Sequence, residues 1–196
     1  MRFRIGNTIR LLKKLTAKSQ ESVLSGGIHA PPIMQHGGGH LYGADKYCRW
    51  LGEASGLPVS LPTEAQWEYA ATSRGTSQAF YATDDGTQDY GRNYPGKKSP
   101  WYPEPSGTYP SNPLDVHDMT GNVAEWVSDW YAGNYYSISP HKNPKGPNSG
   151  KKKILKGGSV GGTQSFNVLF RRARLHTPDE KQGGVRCVIN QPTPVS

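Results

Sequence analysis

The chain is poor in sulfur: two cysteines and three methionines stand among 196 residues. Two cysteines cannot build a disulfide-rich scaffold or a four-cysteine zinc site. Long apolar runs are also missing, so no segment reads as a membrane-spanning helix. The N-terminal stretch MRFRIGNTIRLLKKL is basic but has no apolar h-region, so it does not read as an ordinary signal peptide. Acidic side chains are the minority, 15 against 23 Lys and Arg, which leaves a net charge of +8. Such a surplus points toward nucleic acid until its position is considered. Residues 1–20 carry Arg2, Arg4, Arg10, Lys13, Lys14 and Lys18 and no acid, and the rest of the chain is close to neutral. The one dense basic run in that remainder, Lys151–Lys153, lies among Gly, Pro and Asn and reads as a solvated loop. No recognition motif for DNA or RNA accompanies it, so no specific nucleic-acid partner is expected.

The plentiful residues point to a folded domain. Glycine (24) and proline (16) make about a fifth of the chain, too much for a helical bundle. Five tryptophans, eleven tyrosines and four phenylalanines supply a core and argue against disorder. At this length a single domain is expected. Residues 1–43 look foreign to the rest: basic, then Ser/Gly-rich, then the Pro/Gly stretch PPIMQHGGGHLYG. From Ala44, residues Ala44, Tyr47, Cys48 and Leu51 recur at helical spacing, and Gly56 is a fitting stop. In LPTEAQWEYAA, Thr63 is a good N-cap and Gln66 completes a capping box. Residues 75–118 carry turn chemistry. KKILKGGSV (152–160) reads as a strand entering a glycine turn. NVLFRRARL (167–175) and GGVRCVIN (183–190) read as closing strands, with Val185 and Cys187 on one face. The expectation is an α+β domain with few regular elements and many ordered loops, spanning 44–190, with 191–196 as a tail. The six histidines form no convincing metal set. His36 and His40 bracket HGGGH, but glycines do not preorganise ligands and no third ligand lies nearby.

Four segments carry a more specific message: ADKYCRWLGEASGLPVSLPTEAQWEYAA (44–71), NPLDVHDMTGNVAEWVSDWY (112–131), ILKGGS (154–159) and GGVRCV (183–188). In order and spacing they resemble the formylglycine-generating enzyme, or sulfatase-modifying factor, superfamily. The resemblance implies an irregular C-type-lectin-like α+β fold. It also implies several possible activities: copper-dependent oxidation of a sulfatase cysteine to formylglycine, maturation of siderophore chromophores, or lectin-like binding. The family's oxidases place two cysteines a few residues after Gly-Gly-Ser to bind Cu(I), a soft ion that prefers thiolates. Here VGGTQSFNVLF follows Gly157-Gly158-Ser159 without a cysteine, so copper is not expected. Ser159 matches a serine of the family's oxygen site, or else serves turn chemistry between glycines. With Arg172 it is the candidate for any surviving chemistry.

The resemblance further implies a calcium site on DMTGNVAEW, with Asp118, Gly121, Val123 and Glu125 as ligands. Hard oxygens from a tight loop suit Ca²⁺. The alternative is a capped turn with Glu125 bonded to backbone amides. Asn93-Tyr94 matches the start of the family's second calcium site, although no Asp follows in 95–111. Cys48 and Cys187 occupy positions that form a structural disulfide in the family. The alternative is two buried thiols in a reducing cytosol. Trp126, Arg172 and Arg174 match the region of the substrate groove. Arg172 and Arg174 share a strand face and either hold a carboxylate or sulfate of a peptide or small acid, or pair with core acids. Family domains bring further residues ahead of position 44, so residues 1–43 read as a truncated, rearranged or frame-shifted replacement. A periplasmic or extracellular site follows if the disulfide forms and a signal peptide lay upstream; otherwise the cytoplasm is expected.

Overall fold

The computed structural model describes residues 41–75, 103–158, 167–177 and 183–190. Helix α1 (Leu41–Ser55) buries Leu41, Ala44, Cys48 and Leu51 along one stripe. Leu41, Tyr42 and Gly43, expected to be linker, are helical, and the Leu41 side chain extends the same buried face. Gly56 ends it with φ +68°, a left-handed geometry that glycine tolerates. Strand β1 (Val59–Ser60) follows, then helix α2 (Glu64–Ala71). Thr63 caps α2 as expected: its hydroxyl accepts from the Gln66 N–H at 3.1 Å, and the Gln66 side chain accepts from the Thr63 N–H at 2.9 Å.

Strand β2 (Glu125–Trp130), the short helix α3 (Tyr135–Ile138), β3 (Lys152–Lys156), β4 (Arg172–Leu175) and β5 (Val188–Ile189) complete the described elements. An antiparallel sheet runs in the order β2-β3-β4, and β1 pairs antiparallel with β5. An isolated parallel bridge, Glu125 to Gly184, ties the C-terminal segment to β2. The expected strand over 167–175 is shorter than its sequence suggests. The Asn167 side chain accepts from the Leu169 N–H, and the Phe170 N–H bonds back to the Asn167 carbonyl, so asparagine turn chemistry claims these residues before β4 begins. Residues 183–190 similarly contribute the bridge and the two-residue β5. The strand expected from Lys152 is β3; of the basic run also read as a solvated loop, Lys152 is exposed, while Lys153 is half-buried with its ammonium 4.0 Å above the Trp130 ring.

Two apolar clusters flank the larger sheet. One joins α1, β1, Trp126, Leu155 and Ile189. The other joins Trp67 and Ala71 of α2 to Met119, Val127, Ile154 and Val168. Side-chain amides hold the loops, since the loops cannot bond themselves. Asn112 donates to the Ala70 carbonyl at 2.8 Å and accepts from the N–H groups of Leu114 and Val116. The Cys48–Cys187 disulfide joins α1 to the C-terminal segment across 139 residues. In the chain-entropy picture that constraint contributes roughly 5 kcal/mol. The double variant C48A/C187A is expected to lose on the order of 4–5 kcal/mol in urea unfolding monitored by tryptophan emission. A midpoint unchanged within error would show that the crosslink is energetically idle.

Candidate functional site

The turn that enters β2 is held in an unusual backbone shape. Asp118, Gly121 and Asn122 have φ of +60°, +90° and +58°. Asparagine and aspartate tolerate this region better than most residues, and glycine adopts it freely. The Gly121 N–H donates to the Gly157 carbonyl at 2.7 Å, and the Asn122 amide exchanges two 3.0 Å hydrogen bonds with the backbone of Glu104. Gly157, just after β3, and the segment from Glu104 therefore both fix the acidic turn.

Within it, Asp118 Oδ2 accepts from the Gly107 N–H at 2.8 Å, while Oδ1 is buried with no hydrogen-bond partner. Burial raises the Asp118 carboxyl above the ordinary aspartate range, and the Glu125 carboxylate adds to the effect; Gly107, Arg186 and His117 act against it. Glu125 is more fully engaged. Its Oε2 accepts from Trp67 Nε1 at 2.8 Å and Arg186 Nε at 2.7 Å, and its Oε1 accepts from Arg186 Nη2 at 2.7 Å. Neither sequence alternative for Glu125 includes these partners: a guanidinium and an indole, not backbone amides, neutralise and orient it. Arg186 Nη2 also donates to the His117 carbonyl at 2.8 Å. Nearby, the Tyr109 hydroxyl is buried without a partner and is pushed up to about 12 by burial, with Glu104 and Asp118 adding.

This donor set fits a hard divalent cation in one respect: Asp118 Oδ1 is a buried, unsatisfied carboxylate oxygen. Among the described residues no three His, Cys, Asp or Glu side chains gather as a ligand group, so a cation here would draw on carbonyl oxygens and share Glu125 with Arg186.

Across α2 lies a second buried cluster that the sequence did not announce. The Lys156 side chain has no solvent exposure, and its ammonium sits 2.6 Å from Glu68 Oε1 and 3.6 Å from Glu64 Oε1. Arg171 Nε donates to Glu64 Oε1 at 2.7 Å, its Nη1 donates to the Ala132 carbonyl at 3.1 Å, and its guanidinium lies 4.9 Å from both the Tyr131 and Tyr136 rings. Burial and the adjoining Glu64 and Glu68 push the Tyr136 hydroxyl far above the usual tyrosine range.

The groove residues are arranged differently from the expectation. Trp126 is only 1% exposed and belongs to the core, packed with α1 and Leu155. In the sheet it lies alongside Leu155, and Trp130 lies alongside Lys153. Arg172 and Arg174 pair with Leu155 and Lys153 and so share that face, and both are engaged in further interactions. Lys153, between Trp130 and Arg174 in the sheet, lies over the Trp130 ring, and the His176 ring meets Trp130 edge-on at 5.2 Å. Ser159, Asn93 and Tyr94 lie outside the described residues. Arg186, Trp67 and Lys156 were the residues sequence reasoning missed. For Arg186 the available signal was its place beside Cys187.

Residues 40–191 match the family model of the sulfatase-modifying factor enzyme 1-like domain. The chain is 34% identical over 160 residues to the formylglycine-generating enzyme of Streptomyces coelicolor, covering 74% of this chain and 49% of that protein. It is 33% identical over 147 residues to the serine/threonine-protein kinase pkn1 of Chlamydia caviae, covering 74% of this chain and 22% of that one. The chain thus spans half or less of these curated relatives. The structure of PvdO from Pseudomonas aeruginosa superposes with a TM-score of 0.67 at 18% identity, covering 87% of this chain and 75% of that chain, which shows a shared fold.

Buried and half-buried carboxylates set a pH dependence. Desolvation raises Glu68, Asp118 and Asp129 in the folded protein. A raised acid binds more protons folded than unfolded, so its contribution to stability falls as pH rises through its folded pKa. In chelator-treated buffer, urea stability is expected to decline as pH rises just above the ordinary carboxylate range. Glu68→Gln is expected to flatten part of that decline. An unchanged slope in the variant would rule Glu68 out as a source.

Proposed function

The chain belongs to the formylglycine-generating enzyme, or sulfatase-modifying factor, superfamily, and on that premise we propose that it is a binding member without copper-dependent cysteine oxidation. One observation carries this reading: the chain's two cysteines are both consumed in the Cys48–Cys187 disulfide, which leaves no thiolate for a soft Cu(I) ion. The residues beside Gly157-Gly158 supply no replacement sulfur. What remains is one face of the sheet on which Lys153 lies over Trp130, with Arg172 and Arg174 on the adjoining strand. Guanidinium and ammonium groups over an aromatic suit the carboxylate of a peptide or a small acid. The disulfide also supports an oxidising compartment as the site of action.

Calcium is the structural ion this reading includes. Asp118, Glu125 and the carbonyls of Gly121 and Val123 would hold it, and its charge would offset the surplus of carboxylate over guanidinium at the turn. The buried, unpartnered Asp118 Oδ1 is the support for it. When bound, the ion contributes coordination and charge; Arg186 and Trp67 orient Glu125, and Gly107 orients Asp118.

Two measurements test these readings. A sulfatase-type CxPxR peptide incubated with the protein, Cu(I), thiol and oxygen is expected to keep its mass; an aldehyde product would refute the non-oxidase assignment. Millimolar calcium is expected to raise the melting temperature of the wild type, with about 2–3 kcal/mol of stabilisation near a hundredfold excess over Kd, and to leave Asp118→Asn almost unmoved. An equal shift in both would place the ion elsewhere.

A further inference from the structure

Arg186 joins two features that are far apart in sequence. The residue after it, Cys187, is bonded to Cys48 in the core of α1. Its own guanidinium occupies both oxygens of Glu125, 61 residues away, and the carbonyl of His117, beside Asp118. The backbone around it is pinned as well. Gly184 N–H donates to the Ala124 carbonyl at 2.6 Å, and Trp126 N–H donates to the Gly184 carbonyl at 3.3 Å. At Gly183 a Cβ would fall 2.5 Å from Trp126 Nε1, so the segment lies directly against the indole. Residues 183–187 are therefore held by a backbone bridge, a bidentate clamp and a crosslink. The clamp flanks the acidic turn, touching Glu125 on one side of it and the His117 carbonyl on the other.

We propose that Arg186 is a positioning residue for the cation-binding turn and that it couples the disulfide to cation affinity, resting on the calcium reading above. While Cys48–Cys187 is intact, the crosslink fixes the backbone from which Arg186 reaches, and Arg186 sets the direction of Glu125 and the height of the His117 carbonyl. Reduction removes one of the three pins. In that step a dithiol loses two electrons and two protons and closes to its own disulfide, while the Cys48–Cys187 bond opens to two thiols. Arg186 then clamps from a looser backbone, and the turn offers its oxygens less well. Coupling between two sites is reciprocal, so a bound cation resists reduction by the factor that oxidation adds to cation affinity. A change of about tenfold lies within the usual range for such couplings.

The test uses the full chain in dithiothreitol redox buffers with CaCl2 or chelator. The thiol–disulfide ratio is read by alkylation and mass spectrometry, and calcium affinity by competition with a chelating dye. The expected result is a reduced protein that keeps its folded near-ultraviolet dichroism, binds calcium about tenfold more weakly, and shows a redox equilibrium moved by calcium about tenfold toward the disulfide. Arg186→Lys keeps a positive charge but not the two-pronged fork, and it is expected to abolish the calcium effect on the redox equilibrium while leaving the disulfide able to form. If calcium raises the melting temperature of the oxidised wild type yet leaves the redox equilibrium unmoved, the coupling is overturned and the calcium site stands. If calcium affects neither, both fall. A reduced protein that unfolds outright, or an Arg186→Lys variant with the full redox shift, also overturns the role given to Arg186.

Discussion

Glu125 is a buried carboxylate that opens β2, and three hydrogen bonds from two distant parts of the chain neutralise and fix it. The indole of Trp67 comes from α2, and the guanidinium of Arg186 comes from the C-terminal segment. An ionised carboxylate in such a place is tolerable only with its partners present, and removing one typically costs 3–5 kcal/mol. The strand, the helix and the tail must therefore assemble together, although their apolar contacts alone would not specify how. The parallel bridge to Gly184 and the crosslink at Cys187 follow from the same docking of the tail.

The seam continues across the sheet. Lys156 is the cross-strand partner of Glu125, and its ammonium passes 5.6 Å from the Trp67 ring to reach Glu68 and Glu64. Glu64 in turn holds Arg171, and the Glu64 N–H donates to Asp129 of β2 at 2.8 Å. Trp67 thus sits between two charged groups of opposite sign, and α2 is fastened to the sheet by ionic contacts along its inner face. Apolar replacements of equal volume would pack well, but they would not fix the register of α2 against β2 and β3. Polar seams can supply that specificity, at an energetic cost in desolvation.

Local chemistry was the legible part of the sequence. The capping box at Thr63 and Gln66 and the glycine stop at Gly56 involve neighbours a few residues apart, so their physics is complete within a short window. Misread stretches lay where a distant partner or a competing turn decided the outcome. Asn167 drew its own backbone into a turn and shortened the expected strand. Trp126 shares a sheet face with Trp130 and became core because α1 and Leu155 pack over its end of that face.

The sequence by itself determined the family, the α+β character, the helical caps and the absence of cysteines behind Gly157-Gly158. These depend on residue identity and short-range order, which a linear chain displays directly. Only the tertiary structure decided that Arg186 and Trp67 neutralise Glu125, that Lys156 is wholly buried between two glutamates, and that one oxygen of Asp118 is buried without a partner. A buried charge is defined by what surrounds it. For Glu125 and for Lys156 the partners lie roughly sixty to ninety residues away along the chain, and only folding sets those distances.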